Sequence, residues 1–161
     1  DVGCGNGRDS VFLANNNFQV FAFDQSEVVI NSLNLQYPDN PTFFISDVSN
    51  LEISNEYKIN VVYSRFVLHA ISNTELLSLV NKIYELLPEG GLFLSESRSD
   101  MTSISEIGKN FDPHFRQLLN SDYLVKLLVN KGFSVDYFKE DKGLAIYKNE
   151  DPFIIRLIVR K

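Results

Sequence analysis

The sequence predicts an α/β protein: a doubly wound, mostly parallel sheet closed by an antiparallel C-terminal strand pair. Three observations predict it. Short β-rich runs and amphipathic helical runs alternate along most of the chain, which is the pattern of a parallel sheet with crossover helices. A glycine-rich segment, Asp1-Val2-Gly3-Cys4-Gly5-Asn6-Gly7, has the composition of a strand-to-helix turn. The tail abandons helical spacing for a period near two.

Each element follows in order. Gln19-Val20-Phe21-Ala22-Phe23 is a strand ending at Asp24, and Ser26 is placed to cap a helix carrying Val29, Ile30 and Leu33, with Pro38 beyond its end. Thr42-Phe43-Phe44-Ile45 is the next strand, again followed by an acid, Asp47, and Asn60-Val61-Val62-Tyr63-Ser64 is another. Ser72 and Glu75 form a Ser-x-x-Glu capping box ahead of Leu76, Leu77, Val80, Ile83, Tyr84 and Leu87 at helical spacing, and Pro88-Glu89-Gly90-Gly91 stops that helix. Leu92-Phe93-Leu94-Ser95-Glu96 is a strand, and 99–120 read as a polar loop with one helical turn. Ser121 begins a helix with Leu124, Leu127 and Leu128 inward and Gly132 at its C-terminal end. Phe133 to Glu140 and Phe153 to Val159 form the antiparallel pair at the sheet edge.

Composition narrows the function. The chain has 161 residues, 44% hydrophobic and 22% charged, which suits one globular domain over residues 1–161 with a sizeable core. Fifteen Lys+Arg against 21 Asp+Glu leave a net charge of −6, so a nucleic-acid partner is not expected. The single cysteine, Cys4, closes no internal disulfide, and without CxxC or HExxH spacing no metal is expected. No apolar run approaches the ~18 residues of a membrane helix and no signal peptide is visible, so no membrane partner and a reducing, cytoplasmic setting are expected. The chain opens on the glycine-rich turn without an initiator Met or a strand ahead of it. The expectation is an N-terminally incomplete domain, part of a longer polypeptide, with most of its first strand missing from this chain.

In a doubly wound sheet, ligands sit beyond the carboxyl ends of the strands. Three such ends carry polar markers. Gly3, Gly5 and Gly7 let the backbone approach a ligand closely, Asp24 can accept both hydroxyls of a ribose, and Asp47 can accept a hydrogen from an adenine amino group. Asp1 to Asp24 and Asp24 to Asp47 are each 23 residues apart, about one βα unit. A nicotinamide dinucleotide fingerprint, G-x-G-x-x-G/A, fits less well: its third small position falls on Arg8 or Ser10 and Asp47 has no task. Cys4 reads as a small residue filling space beneath the loop.

Asp1-x-Gly3-x-Gly5-x-Gly7 followed by Asp24 and Asp47 resembles the class I S-adenosylmethionine-dependent methyltransferases over nearly the whole chain. The resemblance implies a Rossmann-like sheet and S-adenosylmethionine as cofactor. It also implies cofactor-binding roles for Asp1 and the three glycines at the methionine portion, Asp24 at the ribose, Asp47 at the adenine and Ser64 to Phe66 beside the methionine moiety, with Gln25 and Val48 also among the cofactor-binding residues. The Asn/Asp-Pro-Pro-Tyr/Phe motif of adenine and glutamine-amide methylating enzymes is absent, which argues against that subclass.

Acceptor residues are expected after the strands ending at Ser64 and Glu96. His69 could serve as a base or pack under the next helix; Arg65, Arg98, His114 and Arg116 could form a cationic pocket, or be solvated charge. The expected activity is methyl transfer to a polar, possibly anionic, small molecule or glycan precursor. The alternative is a non-catalytic or degenerate cofactor-binding module within a larger polypeptide.

Overall fold

The structure, a computed structural model, describes residues 1–54, 56–102 and 118–161. Its elements run α1 (Arg8–Asn15), β1 (Phe21–Asp24), α2 (Glu27–Gln36), β2 (Thr42–Ile45), a 3-10 turn η1 (Val48–Asn50), β3 (Val61–Arg65), α3 (Asn73–Leu86), β4 (Leu92–Arg98), α4 (Ser121–Lys131), β5 (Ser134–Asp141) and β6 (Ile154–Arg160). β1 pairs in parallel with β2, and β3 with β4. β6 lies antiparallel between β4 and β5, so the C-terminal pair closes the sheet as expected.

Residues 1–3 join the two halves. Val2 bridges Phe23 in parallel and donates its N–H to Tyr63 O at 2.8 Å, while Phe23 N–H donates to Asp1 O at 2.9 Å. The order across the sheet is therefore β2, β1, residues 1–3, β3, β4, β6, β5. Among the described residues, the lane between β1 and β3 is occupied only at its carboxyl end. Below Val2 it is a groove of about 540 Å³ lined by Val20, Phe21, Val61, Val62 and Leu92, among others.

Two apolar clusters hold the layers. Ile30, Leu33, Ala22 and Phe43 bury α2 against β1 and β2. Leu76, Leu79, Val80 and Ile83 of α3 and Leu124 and Leu128 of α4 cover the other face, against Val62, Phe93, Ile155 and Leu157. The capping box is present in both halves: Ser72 Oγ accepts from Glu75 N–H, and the Glu75 carboxylate accepts from Ser72 N–H at 2.7 Å. Gly132 ends α4 in the left-handed region at φ 118°.

Local details depart from expectation. Ser26 caps α2 by position but its hydroxyl makes no capping bond; its N–H is instead taken by Asp24. α4 begins at Ser121 as expected, capped by Asn120, which accepts from Tyr123 N–H. Leu77 is exposed because α3 turns Leu79 to the core, and β1 begins at Phe21 rather than Gln19. The region expected as one helical turn, and with it His114 and Arg116, lies largely outside the described residues, which resume at a bridge between Leu119 and Ser99.

Candidate functional site

The site is built at the carboxyl ends of the strands flanking residues 1–3. Gly3 and Cys4 both donate to Phe23 O, at 2.8 and 2.9 Å, which bends the chain away from the sheet, and Gly7 at φ 73° starts α1. The glycines differ in their surroundings. A Cβ on Gly3 would stand 2.2 Å from Val67 Cγ2, so this backbone is packed tightly against the chain leaving β3. A Cβ on Gly5 would meet nothing within 4 Å. Gly5 therefore presents bare backbone to open space, as a loop that receives a ligand must.

Asp24 ties the loop to the end of β1. Its Oδ2 accepts from Gly5 N–H at 2.8 Å and its Oδ1 from Ser26 N–H at 3.0 Å. Each carboxylate oxygen has two lone pairs, so two backbone bonds fix the orientation and leave one acceptor position per oxygen. That is the capacity a vicinal diol needs. Asp1 is oriented by the buried Ser10 of α1, whose hydroxyl donates to Asp1 Oδ2 at 2.5 Å.

Asp47 caps η1: its Oδ1 accepts from both the N–H and the hydroxyl of Ser49, at 2.8 and 2.7 Å. Those two bonds hold the carboxyl below its ordinary pKa, so it is an anionic acceptor at neutral pH. A cleft of about 560 Å³ runs along this edge, lined by Asp47 with Gln25, Phe23, Phe44, Ile45 and Glu52. Stacked Phe23 and Phe44 rings, 5.1 Å apart, supply its apolar wall. Val48 opens η1 with its side chain packed toward the core.

Beyond the end of β3 the chain meets the glycine loop. Arg65 and Phe66, together with Asp1, Gly3, Gly5 and Asp9, line a pocket of about 260 Å³. Phe66 sits at φ 61°, a conformation that non-glycine residues seldom adopt and that the surrounding structure must hold in place. Arg65 Nε donates to Glu96 Oε1 at 2.8 Å and its Nη1 to Asp9 Oδ2 at 3.3 Å. Burial opposes charge on both Arg65 and Asp9. The Glu96 and Asp9 carboxylates nevertheless hold the Arg65 pKa up, and the Arg8 and Arg65 guanidiniums hold that of Asp9 down.

Ser64 is fully buried, its hydroxyl 3.4 Å from Val2 O, beneath residues 1–3 rather than in the pocket. His69 is 4% exposed, its Nδ1 accepting from Arg98 N–H at 3.2 Å and its ring edge-on to Phe66. That bond requires Nδ1 to be unprotonated. Arg98 pairs with Glu150 at 2.9 Å. Cys4 packs under the loop, and burial followed by the Asp24 charge pushes its thiol up to about 11, a neutral and unreactive group at physiological pH. Among the described residues no cluster could hold a metal ion.

Residues 1–91 match the family model for a methyltransferase domain, more than half of the chain. The chain belongs to the methyltransferase domain family. Its fold is that of the class I S-adenosylmethionine-dependent methyltransferases. No curated protein matches it by sequence. Solved structures match the fold at low identity. An S-adenosylmethionine-dependent methyltransferase from Methanosarcina mazei superposes with a TM-score of 0.83 at 16% identity, covering 100% of this chain and 90% of that one. A second from Mesorhizobium loti gives 0.80 at 16%, covering 100% and 89%. The Burkholderia thailandensis 1,6-didemethyltoxoflavin-N1-methyltransferase, with 1,6-didemethyltoxoflavin and S-adenosylhomocysteine bound, gives 0.76 at 17%, covering 100% and 69%.

The site of this methyltransferase includes residues that sequence reasoning passed over. Phe44, Ile45 and Glu52 line the cleft beside Asp47, and Asp9 and Glu96 hold Arg65. The observed register sets Arg65 beside Glu96, whereas aligning the β-rich runs from Asn60 and Leu92 start to start would have set Ser64 there, so the sequence carried no signal for Glu96.

Proposed function

We propose that this methyltransferase binds its cofactor across the three strand ends. In this reading Asp24 and Gln25 meet the ribose, Asp47 and Val48 the adenine, and Asp1 and the backbone of Gly3, Gly5 and Gly7 the methionine portion. Ser64 supports the loop from below. The observation that carries this reading is the Asp24 carboxylate, fixed by Gly5 and Ser26 N–H groups with acceptor capacity to spare at the mouth of an open glycine loop. The bound cofactor supplies a sulfonium methyl, displaced in line by the acceptor. The task of the chain is to hold the acceptor in near-attack geometry and exclude water.

The acceptor we propose is a polar small molecule entering over the ends of β3 and β4. The Burkholderia thailandensis enzyme, a 1,6-didemethyltoxoflavin-N1-methyltransferase, shares this fold. Arg98 and Arg65 were candidates for binding an anionic acceptor, with His114 and Arg116. Their engagement by Glu150, Glu96 and Asp9 leaves less free cationic charge than such an acceptor would need, so the proposal does not require an anion. His69, buried and accepting a backbone N–H, is proposed to brace the end of β4 rather than to act as a base. No described helix is long and apolar enough to cross a membrane, and we place the enzyme in the cytoplasm. Incubating the protein with S-adenosylmethionine and pooled polar metabolites should release S-adenosylhomocysteine in step with one methylated product. Cofactor binding without release from any pool would favour the non-catalytic module instead.

A further inference from the structure

We propose that the turn joining β5 to β6, residues 142–153, is the acceptor-side wall of the site, and that Ile146 and Tyr147 receive a ring of the acceptor. This rests on the reading above that the acceptor enters over the ends of β3 and β4. It adds the acceptor class: a polar molecule built on an apolar or aromatic ring. Strand register puts the turn at that end of the sheet. Ile154, the first residue of β6, pairs with Arg98, the last of β4, and with Asp141, the last of β5. Residues 142–153 therefore stand beside the carboxyl end of β4, the end at which such sheets bind ligands.

The turn is fastened toward β4. Arg98 Nη2 donates to Glu150 Oε2 at 2.9 Å. Arg156 bridges Glu96 and the turn, its Nε donating to Glu96 Oε2 at 2.5 Å and its Nη2 to Leu144 O at 2.6 Å. Glu96 in turn holds Arg65, so one guanidinium and one carboxylate link the turn to a residue lining the glycine-loop pocket. Two backbone bonds between Tyr147 and Glu150, at 3.0 and 2.9 Å, close the tip. On this braced frame Ile146 and Tyr147 are 67% and 66% exposed. Met101 is 56% exposed beside them in sequence space only, yet its segment is bonded to the turn, Phe153 N–H donating to Thr102 Oγ1 at 2.9 Å. Large apolar side chains held in water at the ligand end of a sheet form a surface for an apolar partner. Arg98 is then a positioning residue that braces the turn, which accounts for a strand-end arginine spent on Glu150.

The test measures S-adenosylhomocysteine release with two panels of polar acceptors. One panel holds hydroxyquinolines, hydroxycoumarins and catechols, the other sugars and open-chain polyols. Turnover should fall in the ring panel. Changing Ile146→Ala and Tyr147→Ala together should raise the KM of the best ring compound about tenfold or more, the loss of one aromatic and one aliphatic contact. S-adenosylhomocysteine affinity in calorimetry should stay within about twofold, and melting curves should match wild type because both side chains are exposed. Tyr147→Phe keeps the ring and should recover most of the loss seen with Tyr147→Ala. Arg98→Ala should raise the same KM, and Arg98→Lys should recover part of it, since the bond to Glu150 is a single point contact. Turnover confined to sugars and polyols, or a wild-type KM in the double variant, overturns the assignment and leaves methyl transfer intact. An equal fall in cofactor affinity would show a structural role and overturns it too. So does a dimer in sedimentation that the double variant dissolves, which would give the tip to a second copy of the chain. Cofactor binding with no turnover in either panel overturns the acceptor reading, and this assignment with it.

Discussion

Gly3→Ala is expected to destabilise the protein by about 3 kcal/mol, the sum of an overpacking penalty and the cost of a left-handed non-glycine residue. The added Cβ would lie 2.2 Å from Val67 Cγ2, with the backbone at φ 72°. Neither side can yield easily. Val67 is 9% exposed, and Gly3 N–H is tied to Phe23 O at 2.8 Å. In a chain of this size that loss lowers Tm by roughly 6–12 °C. Gly5→Ala meets no neighbour within 4 Å and bears only the φ +50° strain, roughly 1–2 kcal/mol, so its Tm should fall much less. Trimming the opposing side chain supplies the control. If the contact is the cause, Gly3→Ala combined with Val67→Ala is less damaging than the two single changes added together. A Gly3→Ala protein melting with the wild type would show that the loop does not pack against β3 as described.

The second large effect concerns binding. Asp24→Ala removes an ionised acceptor proposed to take two ribose hydroxyls, each bond to a charged group being worth ~1.5–3 kcal/mol. Even the lower end of the sum, ~3 kcal/mol, is more than a hundredfold in affinity. The same change frees Gly5 N–H and Ser26 N–H, so part of the loss is of loop order rather than ligand contact. Asp24→Asn separates the two contributions poorly but usefully. One amide oxygen can still serve one backbone donor, while the NH2 opposes the other and offers nothing to a hydroxyl oriented as a donor. Both variants should therefore bind S-adenosylhomocysteine far more weakly than wild type in calorimetry, with Asn between Ala and Asp. Wild-type affinity in Asp24→Ala would remove the ribose assignment.

Much of this arrangement is legible in the amino-acid sequence because it depends on local rules. The Ser72–Glu75 capping box, the glycine after α4 and the acids at successive strand ends are each fixed by a few neighbouring residues. Helix phase is less local. Leu77 and Leu79 are both apolar, and only packing on Val62 and Phe93 decides that Leu79 is the buried one. Ser26 looks like an ordinary capping residue, yet the turn is held from the strand side by Asp24, so its hydroxyl is not needed. The partners of the arginines were hidden for a different reason. Arg65 meets Asp9 from α1 and Glu96 from β4, and Glu96 meets Arg156 from β6, three contacts between segments far apart in the chain. Arginine at a strand end advertises a cation, but the carboxylates that neutralise or aim it are set by sheet register. The left-handed backbone of Phe66 has no sequence signal at all, since no glycine or asparagine marks it.

A crystal structure of the complex with S-adenosylhomocysteine tests whether the three strand ends form one continuous cofactor site. The ribose hydroxyls should lie within hydrogen-bond reach of the Asp24 carboxylate, roughly 2.6–3.0 Å. The adenine amino group should sit at Asp47 beside Phe44, and the amino-acid end against Gly3 and Gly5. A ligand lying elsewhere on the sheet, or one whose ribose does not touch Asp24, would show that the strand ends do not form that site.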